Sequence, residues 1–88
     1  PVIFGKHRNF SSFFKEVEKS KLKTSKIKAF YYFDIGRWDI VLRDERIIKL
    51  PPTNYENILL KINLLLNDPN FLKYHIFDYR IKDQLILQ

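Results

Sequence analysis

The sequence contains no cysteine, and only two glycines and four prolines occur among its 88 residues. Without cysteine the chain cannot form a disulfide scaffold, a cysteine-ligated zinc site or a thiol nucleophile. Its two isolated glycines, Gly5 and Gly36, cannot build a glycine-rich phosphate loop. No apolar run reaches the 18 or more residues that a membrane-spanning helix needs. These absences leave a small domain whose stability comes from packing.

The residues that are present suit one well-packed domain. Hydrophobic residues make up 45% of the chain, and eight Phe, five Tyr and one Trp can fill a core. The chain begins at Pro1 rather than at a methionine, which suggests a fragment of a longer protein without a signal peptide. The net charge of +6 fits either a solvated lysine-rich surface or a nucleic-acid or anionic-lipid binder. We favour the first interpretation, because much of the excess lies in residues 15–28 without an arginine cluster.

The segment 36–51 has the pattern of a β-hairpin. Apolar and mostly charged residues alternate on each side of a reversal at Asp44 and Glu45. Pro51 ends the second strand, because proline has no backbone N–H to donate. One face of the hairpin is expected to carry Trp38, Ile40, Leu42, Ile48 and Leu50, and the other Arg37, Asp39, Val41, Arg43, Ile47 and Lys49.

Two amphipathic helices are predicted. Asn9 is a suitable N-cap for a helix at about 9–20, with aromatic residues at helical spacing. Thr53 and Glu56 have the spacing of a capping box, which predicts a second helix at about 53–66. Leu60 and Leu64 widen the apolar face of this second helix, so we expect it to be heavily buried.

The remaining segments complete an α+β domain. Residues 27–35 read as a strand with aromatic residues on both faces, which predicts cover on both sides and a three-stranded meander with the hairpin. Residues 2–4, 75–81 and 84–88 read as further strands, the last two joined by a turn. We therefore predict a mainly antiparallel sheet, made of the meander plus a C-terminal hairpin, with two helices packed on it.

No catalytic pattern emerges from the reactive side chains. His7 and His75 lie in different elements and lack the spacing of a metal-binding helix. An aspartate-based hydrolase remains conceivable on composition, and it would require a deep polar cleft. We expect the five aspartates that could supply a carboxylate pair to mark turns and strand edges instead: Asp34, Asp39, Asp44, Asp78 and Asp83. The sequence thus favours a binding module without a cofactor over an enzyme.

Interleaved aromatic and lysine residues in the segment 26–32 raise one further alternative. Such a pattern is typical of single-stranded nucleic-acid platforms, provided that the rings are exposed. We expect these rings to build the core instead. A basic module that binds nucleic acid or an anionic surface is therefore the second hypothesis.

Three motifs in order resemble the C-terminal β domain of the FtsQ/DivIB family of bacterial cell-division proteins. The first is an Arg-Trp-Asp strand at residues 37–39, followed by a turn, a strand closing in Lys-Leu-Pro at 49–51 and an amphipathic helix. Residues 77–80, Phe-Asp-Tyr-Arg, resemble the family's "hydrophobic, Asp, hydrophobic, Arg" strand. Residues 1–5 resemble its "Leu-Pro-x-hydrophobic-x-Gly" opening segment.

This resemblance implies a scaffold of the divisome rather than an enzyme. It implies a full-length protein held in the inner membrane by a single transmembrane helix, with a POTRA domain and then this soluble domain, residues 1–88, on the periplasmic side. FtsB/FtsL-type bitopic partners would add a strand to the sheet, and so help to regulate septal peptidoglycan synthesis. The positions that match the family's binding surface are Arg80, Ile81, Leu85, Ile86 and Leu87, with Arg37 beside Trp38 as a second contact.

Overall fold

The computed structural model describes residues 1–5 and 10–88, in which two α-helices lie on one face of a six-stranded sheet. Both His7 and the expected N-cap Asn9 lie outside the described residues. Short 3-10 turns occupy Thr24–Lys26 and Pro69–Phe71. The helices are α1 (Phe10–Lys19) and α2 (Tyr55–Leu66), and the strands are β1 (Val2–Phe4), β2 (Ile27–Phe33), β3 (Arg37–Leu42), β4 (Ile47–Lys49), β5 (Ile76–Asp78) and β6 (Ile86–Leu87).

The strands lie side by side in sequence order, from β1 at one edge to β6 at the other. The antiparallel meander β2–β3–β4 is confirmed, and β5 and β6 are also antiparallel. However, β1 runs parallel to β2, and β4 runs parallel to β5, so the sheet is mixed rather than mainly antiparallel. The reason is the position of the helices, because α1 and α2 each supply the long crossover that a parallel pair requires. The α+β class itself is confirmed.

A single row of residues across four strands forms the floor of the core. Phe30, Ile40, Ile48 and Phe77 are successive partners in the sheet, and each is fully buried at 0% exposure. Two residues of α1 and three of α2 cover this row from one side: Phe13, Val17, Leu59, Ile62 and Leu66. The hydrophobic core cluster therefore lies between the helices and one face of the sheet, which is called the covered face here.

Trp38 lies on the covered face, as its alternation with Ile40 predicts. Its ring stacks on that of Phe13, with 4.7 Å between the ring centroids and 9° between the planes. Because α1 brings Phe13 down onto β3, only 4% of Trp38 remains exposed. The expected burial of this residue is confirmed.

The start and the outer face of α2 differ from the predictions. The helix begins at Tyr55, after Asn54 in the left-handed conformation with φ 60°, and no side chain caps it. Glu56 is then the second helical residue rather than the third, so the capping box is wrong. Leu60 and Leu64 are 54% and 73% exposed, because only one side of α2 contacts the sheet. The expectation that Leu60 and Leu64 widen the buried face of this helix is therefore wrong.

The face of the sheet opposite the helices, called the open face here, has no covering layer in the described part of the chain. Tyr31 and Phe33 of β2 are 37% and 39% exposed on this side. The expectation that β2 is covered on both sides is thus wrong, since both helices pack on the same face. A register shift between Ile27 and Ala29 also changes the alternation, so that Ile27 and Phe30 both reach the core.

The last two strands are shorter than the segments 75–81 and 84–88 predicted from the sequence. The carboxylate of Asp78 accepts the backbone N–H of Arg80 at 3.0 Å, a local turn that draws the chain out of the ladder. A second turn follows, in which the N–H of Gln84 donates to the carbonyl of Ile81 at 3.1 Å. Within residues 1–5 and 10–88, no helix has both the length and the apolar character to cross a membrane.

Candidate partner-binding edge

Strand β6 lies at one edge of the sheet, and among the described residues no strand pairs with its outer side. Its two residues pair with β5, Leu87 opposite Phe77 and Ile86 opposite Asp78. Next along the ladder, the N–H of Ile76 donates to the carbonyl of Gln88 at 3.0 Å, and the N–H of Gln88 donates back at 3.1 Å. This reciprocal bonding shows which residue pairs of β5 and β6 are hydrogen-bonded and which are not.

The position of the hydrogen-bonded pairs decides which backbone groups of β6 face outward. In an antiparallel ladder, hydrogen-bonded and non-hydrogen-bonded pairs alternate. Since Ile76 and Gln88 form a hydrogen-bonded pair, the next pair, Phe77 with Leu87, is non-hydrogen-bonded. The N–H and C=O groups of Leu87 therefore point away from β5, whereas those of Ile86 point toward it.

The side chains of β6 divide between the two faces of the sheet. Leu87 shares the covered face with Phe77 and packs against the core, as does Leu85 just before the strand. Ile86 shares the open face with Asp78 and is exposed. Strand β6 thus presents Leu87 to the covered face and the exposed Ile86 to the open face. The backbone N–H and C=O groups of Leu87 point outward from the edge of the sheet.

Arg80 lies beside this edge and is held by Asp78. The Nε atom of Arg80 donates to Oδ1 of Asp78 at 2.9 Å, and a terminal nitrogen donates to Oδ2 at 2.6 Å. Asp78 is buried, whereas 45% of the Arg80 side chain remains exposed. A two-point contact of this kind fixes the plane of a guanidinium, so Arg80 presents a pre-oriented cation at the surface.

The pair stays ionised at neutral pH. The hydrogen bonds from Arg80 hold the pKa of Asp78 below its ordinary value, although burial acts in the opposite direction. The same carboxylate raises the pKa of Arg80. The two side chains meet because of the turn after β5, in which the backbone N–H of Arg80 also donates to Asp78.

Four of the six residues expected at the partner surface follow Arg80 in one compact stretch: Ile81, Leu85, Ile86 and Leu87. Ile81 is exposed in the turn that precedes β6, and Leu85 is half-buried. Together with Arg80, this stretch forms the candidate partner-binding edge.

Arg37 does not join this stretch. It lies on β3, three strands away from β6, or roughly 14 Å at the usual spacing of strands. Only 7% of Arg37 is exposed, because it forms an ion pair with Asp39 and lies over the ring of Phe33, 4.4 Å from its centroid. The structure therefore places Arg37 inside the open face as a packing residue, rather than at the partner-binding edge.

The aspartates lie in separate places. Asp39, Asp44 and Asp78 each pair with an arginine. Asp34 and Asp83 are exposed at turns. In residues 1–5 and 10–88, no group of three or more His, Cys, Asp or Glu side chains could hold a metal ion. The sixth, Asp68, accepts the backbone N–H of Asn70 at 2.9 Å, so the aspartates serve ion pairs and turns.

Comparisons with protein-family models, with curated proteins and with solved structures found no match.

Proposed function

We propose that this chain is a non-enzymatic divisome scaffold domain of the FtsQ/DivIB type, which binds FtsB/FtsL-type partners by adding their strand to β6. The observation that supports this most directly is the outer side of β6, where the N–H and C=O groups of Leu87 face outward. An edge without lysine or proline leaves such groups available to another chain. By holding its partners, the domain helps to regulate septal peptidoglycan synthesis.

The sequence motifs supply the cellular part of this proposal. Their resemblance to the family supports a full-length protein held in the inner membrane by a single transmembrane helix, with this domain on the periplasmic side. In that setting the added strand comes from the periplasmic segment of a bitopic partner. Arg80 then faces an acidic residue of that segment, since its guanidinium is already oriented by Asp78.

A proline at position 87 tests the strand-addition step. Leu87→Pro removes the outward N–H, whereas Leu87→Ala removes only the side chain beyond Cβ and keeps that donor. We expect Leu87→Pro to weaken binding of the FtsB-type segment much more than Leu87→Ala, as measured by calorimetric titration. Ile86→Pro is unsuitable as the main variant, because the N–H of Ile86 faces β5 and its loss disturbs the domain itself.

Equal binding by the proline and alanine variants would contradict strand addition at β6, since the outward N–H would then contribute nothing. Full binding by Arg80→Gln would contradict the separate claim that Arg80 contacts an acidic partner residue. Far-UV circular dichroism of each variant controls for loss of folding.

A second candidate function is the binding of single-stranded nucleic acid. One observation favours it: the rings of Phe4, Tyr31 and Phe33 are exposed on the open face of a chain with net charge +6. Within the segment 26–32 that suggested this function, however, Phe30 is fully buried. Phe4 and Tyr31 also stack on one another, with centroids 4.5 Å apart, so each ring already covers one face of the other.

Salt dependence separates the two candidates. If the open face binds single-stranded DNA, the affinity should fall steeply between about 50 and 200 mM salt. Tyr31→Ala should then weaken binding by about 1–3 kcal/mol, while the exposed control Leu60→Ala on α2 should not. Absence of DNA binding at the lower salt concentration would exclude this second candidate. Fluorescence anisotropy with a labelled oligonucleotide measures both quantities.

A further inference from the structure

A half-open cavity of about 240 Å³ lies beside the β3–β4 turn and the end of α2. Three segments meet around it: the connector from α1 to β2, the turn from β3 to β4, and the C-terminal end of α2. Pockets that take drug-sized ligands usually measure about 300–1,000 Å³. This cavity is therefore suited to a group the size of one amino-acid residue.

Three cationic side chains line the cavity, against one carboxylate. They are Lys26, Arg43 and Arg46, and the carboxylate is that of Asp44. Arg46 is already engaged, since it donates to Asp44 at 2.8 Å and to the carbonyl of Leu66 at 3.1 Å. This contact ties the β3–β4 turn to the last turn of α2 and offsets the negative end of that helix.

Lys26 and Arg43 differ from Arg46 in having no carboxylate partner within residues 1–5 and 10–88. The backbone N–H of Arg43 donates to the carbonyl of Lys26 at 2.9 Å, and its Nε atom donates to the carbonyl of Ser25 at 2.9 Å. These two bonds hold Arg43 against the connector. Its terminal nitrogens remain available to bind an anion.

The inner wall of the cavity is apolar. Leu22, Leu42 and Leu66 line it, and all three belong to the buried core. Asn63 of α2 adds an amide side chain to the same lining. The cavity therefore combines an aliphatic wall, an amide and two cations without acidic partners, and these groups match an anion attached to a small apolar body.

We infer that this cavity binds the C-terminal residue of a protein partner, with its carboxylate on Arg43 and Lys26 and its aliphatic side chain against the leucines. The charges are complementary, because two cations without acidic partners meet one carboxylate. The volume fits a single residue. A free inorganic anion would leave the leucine wall unused, and a large cofactor would not fit.

The test titrates the 88-residue chain with the peptide acetyl-Gly-Gly-Leu bearing a free C-terminal carboxylate, and with the same peptide capped as an amide. We expect the free acid to shift the backbone amides of Leu42, Arg43 and Asn63. We expect the capped peptide to bind about tenfold more weakly, since it lacks the charge-assisted hydrogen bonds. Arg43→Gln and Lys26→Gln should each weaken the free acid by several-fold to about tenfold. Lys82→Gln, an exposed lysine in the turn between β5 and β6, is the matched control and should bind normally.

Three outcomes would overturn the inference. Equal binding of the acid and the amide would exclude recognition of the carboxylate. Unchanged binding by both Arg43→Gln and Lys26→Gln would place the contact elsewhere. Inorganic phosphate that shifts the same amides, while the free-acid peptide does not, would define a site for small anions instead. Because Lys26 and Arg43 are exposed, their variants are expected to fold, and circular dichroism checks this.

Discussion

The two faces of the sheet differ although the same strands build both. On the covered face, the row Phe30, Ile40, Ile48, Phe77 and Leu87 is apolar throughout. The adjacent row on the open face contains Tyr31, Asp39, Lys49, Asp78 and Ile86, with charges in its centre. The covered face stabilises the domain through burial, whereas the open face keeps its carboxylates paired with arginines and leaves apolar groups exposed at both ends. Neighbouring residues of one strand thus serve the buried core on one face and an exposed surface on the other.

The largest effect should come from the covered face. Leu59→Ala opens a cavity between α2 and the sheet and should lower the free energy of unfolding by about 2–5 kcal/mol. The neighbouring Leu60→Ala is the matched control, since its side chain is exposed, and should change that free energy by less than about 0.5 kcal/mol. Urea denaturation measures both. Equal losses would show that the outer side of α2 is covered in solution.

A smaller loss is expected from the buried ion pair of the open face. Arg37→Leu leaves the buried carboxylate of Asp39 without its arginine and should cost about 2–3 kcal/mol by the same measurement. The double variant Arg37→Leu/Asp39→Leu should recover most of that loss, because no buried charge remains. A double variant that is no more stable than Arg37→Leu would show that the loss does not come from an unpaired buried charge.

The smallest effect concerns the half-exposed pair of Asp78 and Arg80, where water screens the charges. Folding lowers the pKa of Asp78, so its contribution is present above the ordinary aspartate pKa of about 3.9 and is lost as the pH falls through the lowered value. The difference in unfolding free energy between the wild type and Asp78→Asn should therefore shrink between pH 7 and strongly acidic pH. A difference that stays constant over this range would contradict the shift.

The covered face could be predicted well from the sequence, and the open face could not. The alternation in residues 36–51 correctly placed Trp38, Ile40 and Ile48 toward the core, because a strand with one buried face carries a period of two. Alternation does not reveal which side of a strand is covered when both sides carry aromatic residues, as in β2. The pattern therefore predicts that Tyr31 and Phe33 are buried. Their burial would require a second layer on the open face, and both rings are exposed.

Pairing direction and helix ends were also beyond the sequence pattern. Whether β4 and β5 run parallel depends on where α2 returns the chain, which is a tertiary property. The start of α2 depends on the left-handed conformation of Asn54, which the competing pattern of Thr53 and Glu56 concealed. At the candidate edge, the position of β6 followed from the order of the elements, whereas the burial of Arg37 required the packing of Asp39 and Phe33 around it.

The most direct test of the central proposal is a titration of the domain with its FtsB-type periplasmic segment, followed by backbone amide shifts. Strand addition predicts that the shifts cluster at residues 80–88 and that the amide of Leu87 becomes protected from hydrogen exchange, because it acquires an acceptor. The chemical shifts of the backbone amides of α1, which packs on the covered face, should stay unchanged. Shifts that cluster on α1 and leave residues 80–88 untouched would contradict the proposal that β6 receives a partner strand.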